Sequence, residues 1–366
     1  MTPADSQGIY VHIPFCRKKC AYCDFFSGIY SEEIQDAYVS ALAKQIKNTA
    51  FGHNQTHTVY IGGGTPSSLS SENLVLLLSS FKNVSFSEFT VEANPESIDE
   101  DKLRILKGRG CNRISIGVQS FDDKYLKLLG RLHNSDEAKA AVELAHKYFD
   151  NISIDLIFGI PGQTLADINN DLDRALSLSP AHISYYSLIY EQGTELYAMR
   201  KNHIVHPVEE DIEADMFIEI GKRLENSGFT HYEISNFAKR DMECRHNLNY
   251  WAQGKYYGFG AGAVGFDGEK RYKIVADVKE YTRRILNGES VTDEFEDVNP
   301  EFEKIMLGLR TKRGLDFSEI KDFENKYKTA LKDAVLYDLI KVKGKRIMPT
   351  DEGMLKNNEL CLLFLK

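Results

Sequence analysis

Three cysteines near the amino terminus have a spacing typical of metal or iron–sulfur sites. Cys16, Cys20 and Cys23 form a C-x3-C-x2-C pattern that places three thiols within eight residues. Thiolates are soft ligands that suit zinc and the irons of iron–sulfur clusters. The trio could hold zinc with a fourth ligand such as His12, or three corners of a [4Fe–4S] cluster with one iron left open. We favour the cluster, because a structural zinc would leave the polar residues of the following strands without a role.

Glycines and polar side chains recur where the predicted strands end. They are Cys16, residues 62–66 (Gly-Gly-Gly-Thr-Pro), Glu92 with Asn94, Gln119, Gly159 with Pro161, and Glu191. In α/β barrels the carboxyl ends of the strands form the functional face. The sequence therefore predicts one site at this face, with the cysteine loop as part of it.

Six short apolar segments, rich in Ile, Val, Tyr and Phe, predict strands that are covered on both faces, as in parallel sheets. They are residues 9–13, 58–61, 89–93, 113–118, 152–158 and 183–190. Amphipathic segments between them predict helices at residues 31–49, 71–81, 99–107, 135–147 and 165–176. Because six strand–helix units are visible rather than eight, we predict an α/β fold with a partial (β/α)6 barrel over residues 1–195.

The rest of the chain lacks this alternation of strands and helices, and its patterns predict two further units. Residues 196–299 contain a helical pattern at 208–226 and an irregular aromatic stretch at 234–266. Residues 300–366 predict helices at 301–309, 317–327 and 331–338 and a hairpin at 339–348, an arrangement like a winged helix. We do not expect it to bind DNA, because Glu319, Asp322 and Glu324 would repel phosphates from its middle helix.

Composition and charge exclude several classes of protein. The 366 residues carry 45 Lys and Arg against 54 Asp and Glu, and a net charge of −9 disfavours nucleic acids and anionic membranes. No apolar segment approaches the roughly 18 residues of a membrane span, and residues 1–6 lack the pattern of a signal peptide. Cys111, Cys244 and Cys361 are widely spaced, and we interpret them as small buried residues. We expect a cytoplasmic protein.

The cysteine pattern, placed after a first strand and with Tyr22 before the third cysteine, resembles the radical SAM superfamily. The resemblance implies a [4Fe–4S] cluster whose open iron is chelated by the amino and carboxylate groups of S-adenosylmethionine. It also gives Gly62, Gly63 and Gly64 a role, since backbone without Cβ atoms can approach the methionyl moiety.

Longer segments resemble one family of that superfamily, the oxygen-independent coproporphyrinogen III oxidases. These segments are residues 10–16, 62–66, 118–121 and 154–164, and the likeness continues into the C-terminal unit. The resemblance implies that S-adenosylmethionine is contacted by Tyr10, Tyr22, Gly64, Thr65, Glu92, Gln119, Arg131 and Asp155. Glu92 and Asp155 lie on apolar strands, where ribose hydroxyls or the sulfonium region would be partners. A role for these carboxylates in buried ion pairs stays open, and Arg131 could balance one of them.

Two departures separate the chain from these oxidases. The oxidases have a fourth cysteine two residues after the third, where Phe25 stands here. They also carry a sizeable segment ahead of the cluster, where nine residues precede Tyr10. Together with a His-Asn-x-x-Tyr-Trp segment at residues 246–251, these departures resemble the HemW branch, the heme chaperones that lack oxidase activity.

The resemblance to that branch implies that residues 246–251 bind heme. His246 would be the axial ligand, Asn247 a hydrogen-bond partner, and Tyr250 and Trp251 flat surfaces against the porphyrin. Tyr250 and Cys244 are alternative ligands. A purely structural role for the segment, as core aromatics and a hydrogen-bonded histidine, also stays open.

We therefore expect a heme chaperone that carries a [4Fe–4S] cluster and S-adenosylmethionine and transfers heme to acceptor hemoproteins. The alternative is an enzyme: an oxygen-independent coproporphyrinogen III oxidase, or another radical enzyme that acts on a tetrapyrrole. The sequence leaves both a monomer and a homodimer open.

Overall fold

The computed structural model describes residues 6–51 and 56–365, so the signal-peptide prediction falls almost wholly outside the described residues. Six parallel strands follow one another across the sheet in sequence order. They are β1 (Ser6–Ile13), β2 (Thr56–Gly63), β3 (Phe86–Ala93), β4 (Arg113–Gln119), β5 (Ile152–Phe158) and β6 (His182–Ser187). All six predicted strands are confirmed. Burial on both faces explains their apolar sequences: in β4 every residue before Gln119 is buried.

Helices connect these strands and cover the outside of the sheet. They are α1 (Glu32–Asn48), α2 (Ser71–Leu78), α3 (Glu100–Gly108), α4 (Asp123–Leu128), α5 (Ser135–Ala145) and α6 (Leu165–Ser177). The first turn of α6 is fixed by a capping box, in which Thr164 and Asp167 each accept a hydrogen bond from the other's backbone N–H. Helix α4 was not predicted, because six residues are too few to show a helical period.

Further strands extend the sheet at both edges, to twelve strands in all; β9 joins β1 in parallel, and the other added strands pair antiparallel. Beyond β6 lie β8 (Asn236–Ala238) and β7 (Thr230–Glu233); beyond β1 lie β9 (Tyr256–Phe259), β10 (Val264–Phe266), β11 (Lys270–Ile274) and β12 (Thr292–Asp297). The helices of this region are α7 (Glu195–Lys201), α8 (Glu210–Asn226), α9 (Arg245–Trp251) and α10 (Val278–Asn287). Since β7 and β12 remain edge strands, the sheet does not close, which agrees with a partial barrel.

The C-terminal unit has its own hydrophobic core and a three-stranded sheet. Its elements are α11 (Pro300–Gly308), β13 (Leu315–Asp316), α12 (Phe323–Lys326), α13 (Lys328–Leu336), β14 (Ile340–Lys343), β15 (Arg346–Pro349), α14 (Asp351–Leu355) and α15 (Asn357–Leu363). The predicted hairpin is confirmed as β14 and β15. The single helix predicted at 317–327 is wrong, because Asp322 adopts a left-handed φ of +56° and separates α12 from a short 3-10 turn. The domain boundaries after residues 195 and 299 stay predictions.

Across the described residues, no helix combines the length and the apolar character that a membrane crossing requires.

Candidate functional site

The three predicted cluster ligands lie on the loop that follows β1. Backbone hydrogen bonds close this loop: Cys16 N–H donates to Gly28 O at 2.9 Å and Gly28 N–H donates to Pro14 O at 3.0 Å. All three thiols are free and half-buried. Burial raises the pKa of Cys16 and of Cys23, and a charge on Cys20 would raise the pKa of both further. The thiols therefore converge, and they need a positive partner to ionise together.

This donor set is not arranged around a single metal ion in the described residues. Within residues 6–51 and 56–365, no group of three or more His, Cys, Asp or Glu side chains is arranged to hold one metal ion. Zinc gathers four ligands around one centre, whereas each iron of a cluster takes its own thiolate and lets the thiols lie farther apart. The proposed fourth zinc ligand is also occupied: His12 Nδ1 bonds to the Tyr10 hydroxyl at 2.9 Å and Nε2 to Phe26 O at 2.7 Å. The geometry gives the zinc alternative no support.

Arg131 joins the cysteine loop to the neighbouring strands. Its guanidinium donates to Cys20 Sγ at 3.3 Å, to Asn94 Oδ1 at 2.6 Å and to Gly117 O at 2.8 Å. Its Nε is buried and has no hydrogen-bond partner among the described residues. The guanidinium thus donates to the Cys20 sulfur and keeps one N–H donor for a bound group such as a carboxylate. The suggested pairing of Arg131 with Glu92 or Asp155 is not seen, since its three hydrogen bonds go elsewhere.

The glycine run approaches its neighbours more closely than side chains would permit. A Cβ on Gly64 would lie 2.6 Å from Phe15 O and 3.0 Å from Cys16 Sγ. A Cβ on Gly62 would lie 2.8 Å from the Glu92 carboxylate. Glycine is therefore required where β2 meets the cysteine loop, and the backbone there can approach a ligand directly.

Glu92 extends from β3 next to the glycine run, and among residues 6–51 and 56–365 it has no ion-pair partner. Its carboxylate accepts hydrogen bonds from the Tyr60 hydroxyl at 2.7 Å and from Gly63 N–H at 3.1 Å. Burial raises the pKa of Glu92 to about 7, and Arg113 acts on it only from a longer distance. A pKa raised by burial and by a second carboxylate, Asp155, is one mark of a functional site.

Asp155 is the one half-buried residue of the otherwise buried strand β5. It accepts hydrogen bonds from the Ser115 hydroxyl at 2.9 and 3.0 Å and from the Ser153 hydroxyl at 3.1 Å. Burial raises the pKa of Asp155, and its charge would raise that of Glu92. In the described residues hydroxyl groups, rather than ion pairs, hold both carboxylates.

The other predicted cofactor residues lie around this network. The ring of Tyr10 stacks on Tyr60 with 6.4 Å between centroids, and Tyr22 lies beside Arg131. The Thr65 hydroxyl faces Cys16 Sγ at 3.7 Å. Gln119, at the end of β4, adopts a φ of +71° that is uncommon for a residue with a side chain. Backbone strain of this kind concentrates at functional sites.

The predicted heme segment forms α9, and its histidine faces the interior. His246 is fully buried, with Nδ1 bonded to the Thr58 hydroxyl at 2.9 Å and Nε2 to the Tyr250 hydroxyl at 2.8 Å. Burial lowers the pKa of His246 to about 3, so the imidazole is neutral. The thiol of Cys244 is also buried and faces the Glu88 carboxylate at 3.5 Å. In this arrangement each of the three candidate ligands already has a protein partner.

The outward residues of the segment are more accessible. Asn247 and Trp251 are half-buried. Trp251 lines two cavities, and its buried Nε1 has no hydrogen-bond partner among the described residues. The structure thus separates a histidine that holds α9 against β2 from an indole that faces open space.

Sequence reasoning placed Asn94 at the functional face without naming its partners, and it missed Tyr60. Asn94 donates to the Thr65 hydroxyl at 3.0 Å and accepts from Arg131, and Tyr60 binds Glu92. The position of Asn94 directly after β3 predicted that it lies at this face, but its bonds to Thr65 and Arg131 join segments that are distant in sequence. Tyr60 lies opposite Tyr10 in the register of β1 and β2, which no pattern within either strand reveals.

Comparison with known proteins agrees with this arrangement. The family model described as the Radical SAM superfamily matches residues 10–175, and that of the HemN C-terminal domain matches residues 301–355. Among solved structures, coproporphyrinogen III oxidase (HemN) from Escherichia coli, described as a radical SAM enzyme, superposes with a TM-score of 0.83 at 24% identity. The match covers 99% of this chain and 90% of that one, and it shows that the fold is shared.

Two curated relatives match over nearly the whole chain, and a third matches over 70% of it. Heme chaperone HemW of Bacillus subtilis (strain 168) is 39% identical over 97% of this chain and 98% of its own. Heme chaperone HemW of Lactococcus lactis subsp. lactis (strain IL1403) is 36% identical over 97% and 96%. Heme chaperone HemW of Escherichia coli (strain K12) is 40% identical over 70% and 69%. The chain therefore belongs to the HemW family, within the radical SAM superfamily.

Proposed function

We propose that the protein is a heme chaperone, which binds heme and transfers it to acceptor hemoproteins. The observation that carries this proposal is the likeness to proteins named heme chaperone HemW, at 39% identity over 97% of the chain. Phe25 supports it: a side chain that cannot bind iron, 63% exposed, stands where the oxidases resembled by the sequence have a fourth cysteine.

The barrel mouth, formed by the carboxyl ends of β1 to β6 and the cysteine loop, would hold a [4Fe–4S] cluster on Cys16, Cys20 and Cys23. Three free, converging thiols and the guanidinium of Arg131 at Cys20 support this assignment. When bound, such a cluster supplies one iron with open coordination positions for the amino and carboxylate groups of S-adenosylmethionine. The buried, unpartnered Nε of Arg131 could donate to that carboxylate.

S-adenosylmethionine would lie between the cluster and the carboxylates of the barrel. The residues proposed to hold it are Tyr10, Tyr22, Gly64, Thr65, Glu92, Gln119, Arg131 and Asp155. The two carboxylates lack cations of their own in the described residues, so hydroxyl groups or a cationic region of the ligand would complete their surroundings.

Heme would bind at the segment of His246, Asn247, Tyr250 and Trp251. If His246 is the axial ligand, the hydrogen bonds to Thr58 and Tyr250 must break first. Two neutral hydrogen bonds contribute about 1–3 kcal/mol together, so ligation here would be weaker than by an open imidazole. Weak ligation suits a cargo that has to be released.

The test uses one anaerobic sample, reconstituted with iron and sulfide. Heme is titrated by Soret absorbance, and coproporphyrinogen III is then supplied with S-adenosylmethionine and a reductant. The proposal predicts saturable heme binding and no protoporphyrinogen IX. Formation of protoporphyrinogen IX would identify an oxidase instead, and failure to bind heme would refute the chaperone function.

A further inference from the structure

A cavity of about 660 Å³ lies between α9 and the C-terminal unit. Its walls come from β7, from the carboxyl end of α9 and from the loop that follows α11; none of its lining residues belongs to the cysteine loop or the glycine run. This volume is within the range of roughly 300–1,000 Å³ that is typical of small-molecule sites. The functions assigned to the barrel mouth do not use this cavity.

The walls of the cavity are fixed to each other by the backbone. Ile234 N–H donates to Arg310 O and Lys312 N–H donates to Tyr232 O, both at 3.1 Å, so the loop after α11 pairs with β7. The loop turns at Gly314, where φ is +68° and a Cβ would lie 2.0 Å from Ile347 O. The cavity is therefore preformed rather than a gap between loose segments.

One rim of the cavity is positively charged, although the chain carries a net charge of −9. Lys312 and Arg313 line the cavity, and Arg310, which contacts Trp251, stands two residues before Lys312. Lys312 pairs with Asp351, whereas Arg313 is exposed and forms no ion pair in the part of the chain that the structure describes. Arg313 is thus available to an anionic group of a ligand.

The acids of the cavity wall are mostly neutralised. Asp316 pairs with Arg346 at 3.3 Å, and Glu319 pairs with Lys304. Glu243 also lines the cavity and takes part in no ion pair among the described residues. Its negative charge would oppose the binding of an anion, so removal of that charge should strengthen the binding.

A flat aromatic surface lies beside these cations. Trp251, the single tryptophan of the chain, lines this cavity and an adjoining one of about 200 Å³. The guanidinium of Arg310 lies over its ring at 4.7 Å. An aromatic wall next to cationic groups suits a flat apolar ring system that carries carboxylates.

We infer that this cavity is the docking site of a propionate-bearing tetrapyrrole, with the macrocycle against Trp251 and a propionate at Arg313. The inference rests on the proposed function and refines it. The tetrapyrrole would contact the carboxyl end of α9 rather than the buried side of that helix. His246 and Tyr250 then position the helix instead of touching the cargo.

The test compares the binding of heme and of metal-free protoporphyrin IX to the full-length protein at low salt. Trp251→Leu should weaken both porphyrins by about three- to tenfold, since an aromatic contact is lost. Arg313→Gln should weaken both by about two- to fivefold, and Glu243→Gln should tighten both. Arg109→Gln, which removes an exposed arginine after α3, is the matched control and should change nothing.

The outcomes separate the inference from the proposed function. If the parent binds heme and neither Trp251→Leu nor Arg313→Gln weakens it, the cavity is not the site, although the chaperone function stands. If heme binding weakens and protoporphyrin binding does not, the residues act through the iron, and the inference also fails. A parent that binds no heme would overturn the proposed function and this inference together. Because Arg313 is exposed, its replacement tests the inference even if Trp251→Leu does not fold.

Discussion

Replacing Glu92 by glutamine removes a charge from the barrel mouth while it keeps the shape of the side chain. The carboxylate accepts hydrogen bonds from the Tyr60 hydroxyl at 2.7 Å and from Gly63 N–H at 3.1 Å. A glutamine can satisfy both groups, since its oxygen can accept from Gly63 and its NH2 group can donate to the Tyr60 oxygen. The effects of Glu92→Gln therefore report on the charge rather than on packing.

The charge has opposite effects on the ligand-free and the ligand-bound protein. Burial raises the pKa of Glu92 from 4.5 to about 7, so folding favours the neutral carboxyl. Its contribution is most favourable below the unfolded pKa and is lost as the pH rises toward 7. At pH 8 the ligand-free Glu92→Gln protein should be more stable than the parent by about 1–3 kcal/mol, and the difference should shrink at pH 5.

Binding of S-adenosylmethionine should change in the other direction. Loss of a charge-assisted hydrogen bond costs about 1.5–3 kcal/mol, which weakens binding by about 10- to 150-fold. The affinity of the parent should also fall as the pH drops below 7, because Glu92 becomes neutral, whereas the affinity of Glu92→Gln should not follow this titration.

Two measurements check these expectations. Thermal unfolding of the ligand-free protein at pH 5 and pH 8 gives the stability, and calorimetric titration of the reconstituted protein gives the affinity. Glu143→Gln on α5, an exposed position, is the control and should leave both unchanged. Equal stability and equal affinity of parent and Glu92→Gln at pH 8 would refute the reasoning.

Further predictions concern the cluster, the cofactor and α9. Alanine at any one of the three loop cysteines should abolish bound iron and sulfide, whereas Cys111→Ala should not; zinc without iron in anaerobically purified protein would contradict the cluster. Arg131→Gln should lower the iron content after gel filtration, because Cys20 Sγ loses the hydrogen bond from the guanidinium, and unchanged retention would count against that role. Asp155→Asn should weaken S-adenosylmethionine binding at constant iron content, and equal affinity would make the carboxylate structural. His246→Ala should lower the free energy of unfolding by about 2–4 kcal/mol, measured in urea, since two buried hydrogen bonds and a packed ring are lost; a parent-like midpoint would contradict it.

The barrel and much of its functional face could be predicted from sequence because parallel strands carry strong local signals. Strands buried on both faces read as continuous apolar runs, so a carboxylate within them, such as Glu92 or Asp155, stands out. The carboxyl ends of parallel strands meet at one edge, which is why polar residues at strand ends predicted a common site. The structure brings Cys20, Asn94 and Arg131 together there.

What the sequence did not reveal depends on contacts between distant segments. Arg131 and Cys20 are 111 residues apart, and His246 and Thr58 are 188 residues apart. The added strands β7 to β12 have three to six residues each, too few for an alternating pattern to be distinguished from a loop. The burial of His246 depends on such contacts and could not be predicted from the sequence. It decides which side of α9 can contact a ligand.

The most direct test of the account is a heme handover experiment. Reconstituted protein is loaded with heme, freed of excess by gel filtration and mixed anaerobically with a heme-free apo-hemoprotein, while the Soret bands of donor and acceptor are followed. The account predicts that heme moves to the acceptor and restores its activity, and that the same sample leaves coproporphyrinogen III unchanged. Heme that stays on the donor while coproporphyrinogen III is converted to protoporphyrinogen IX would contradict it.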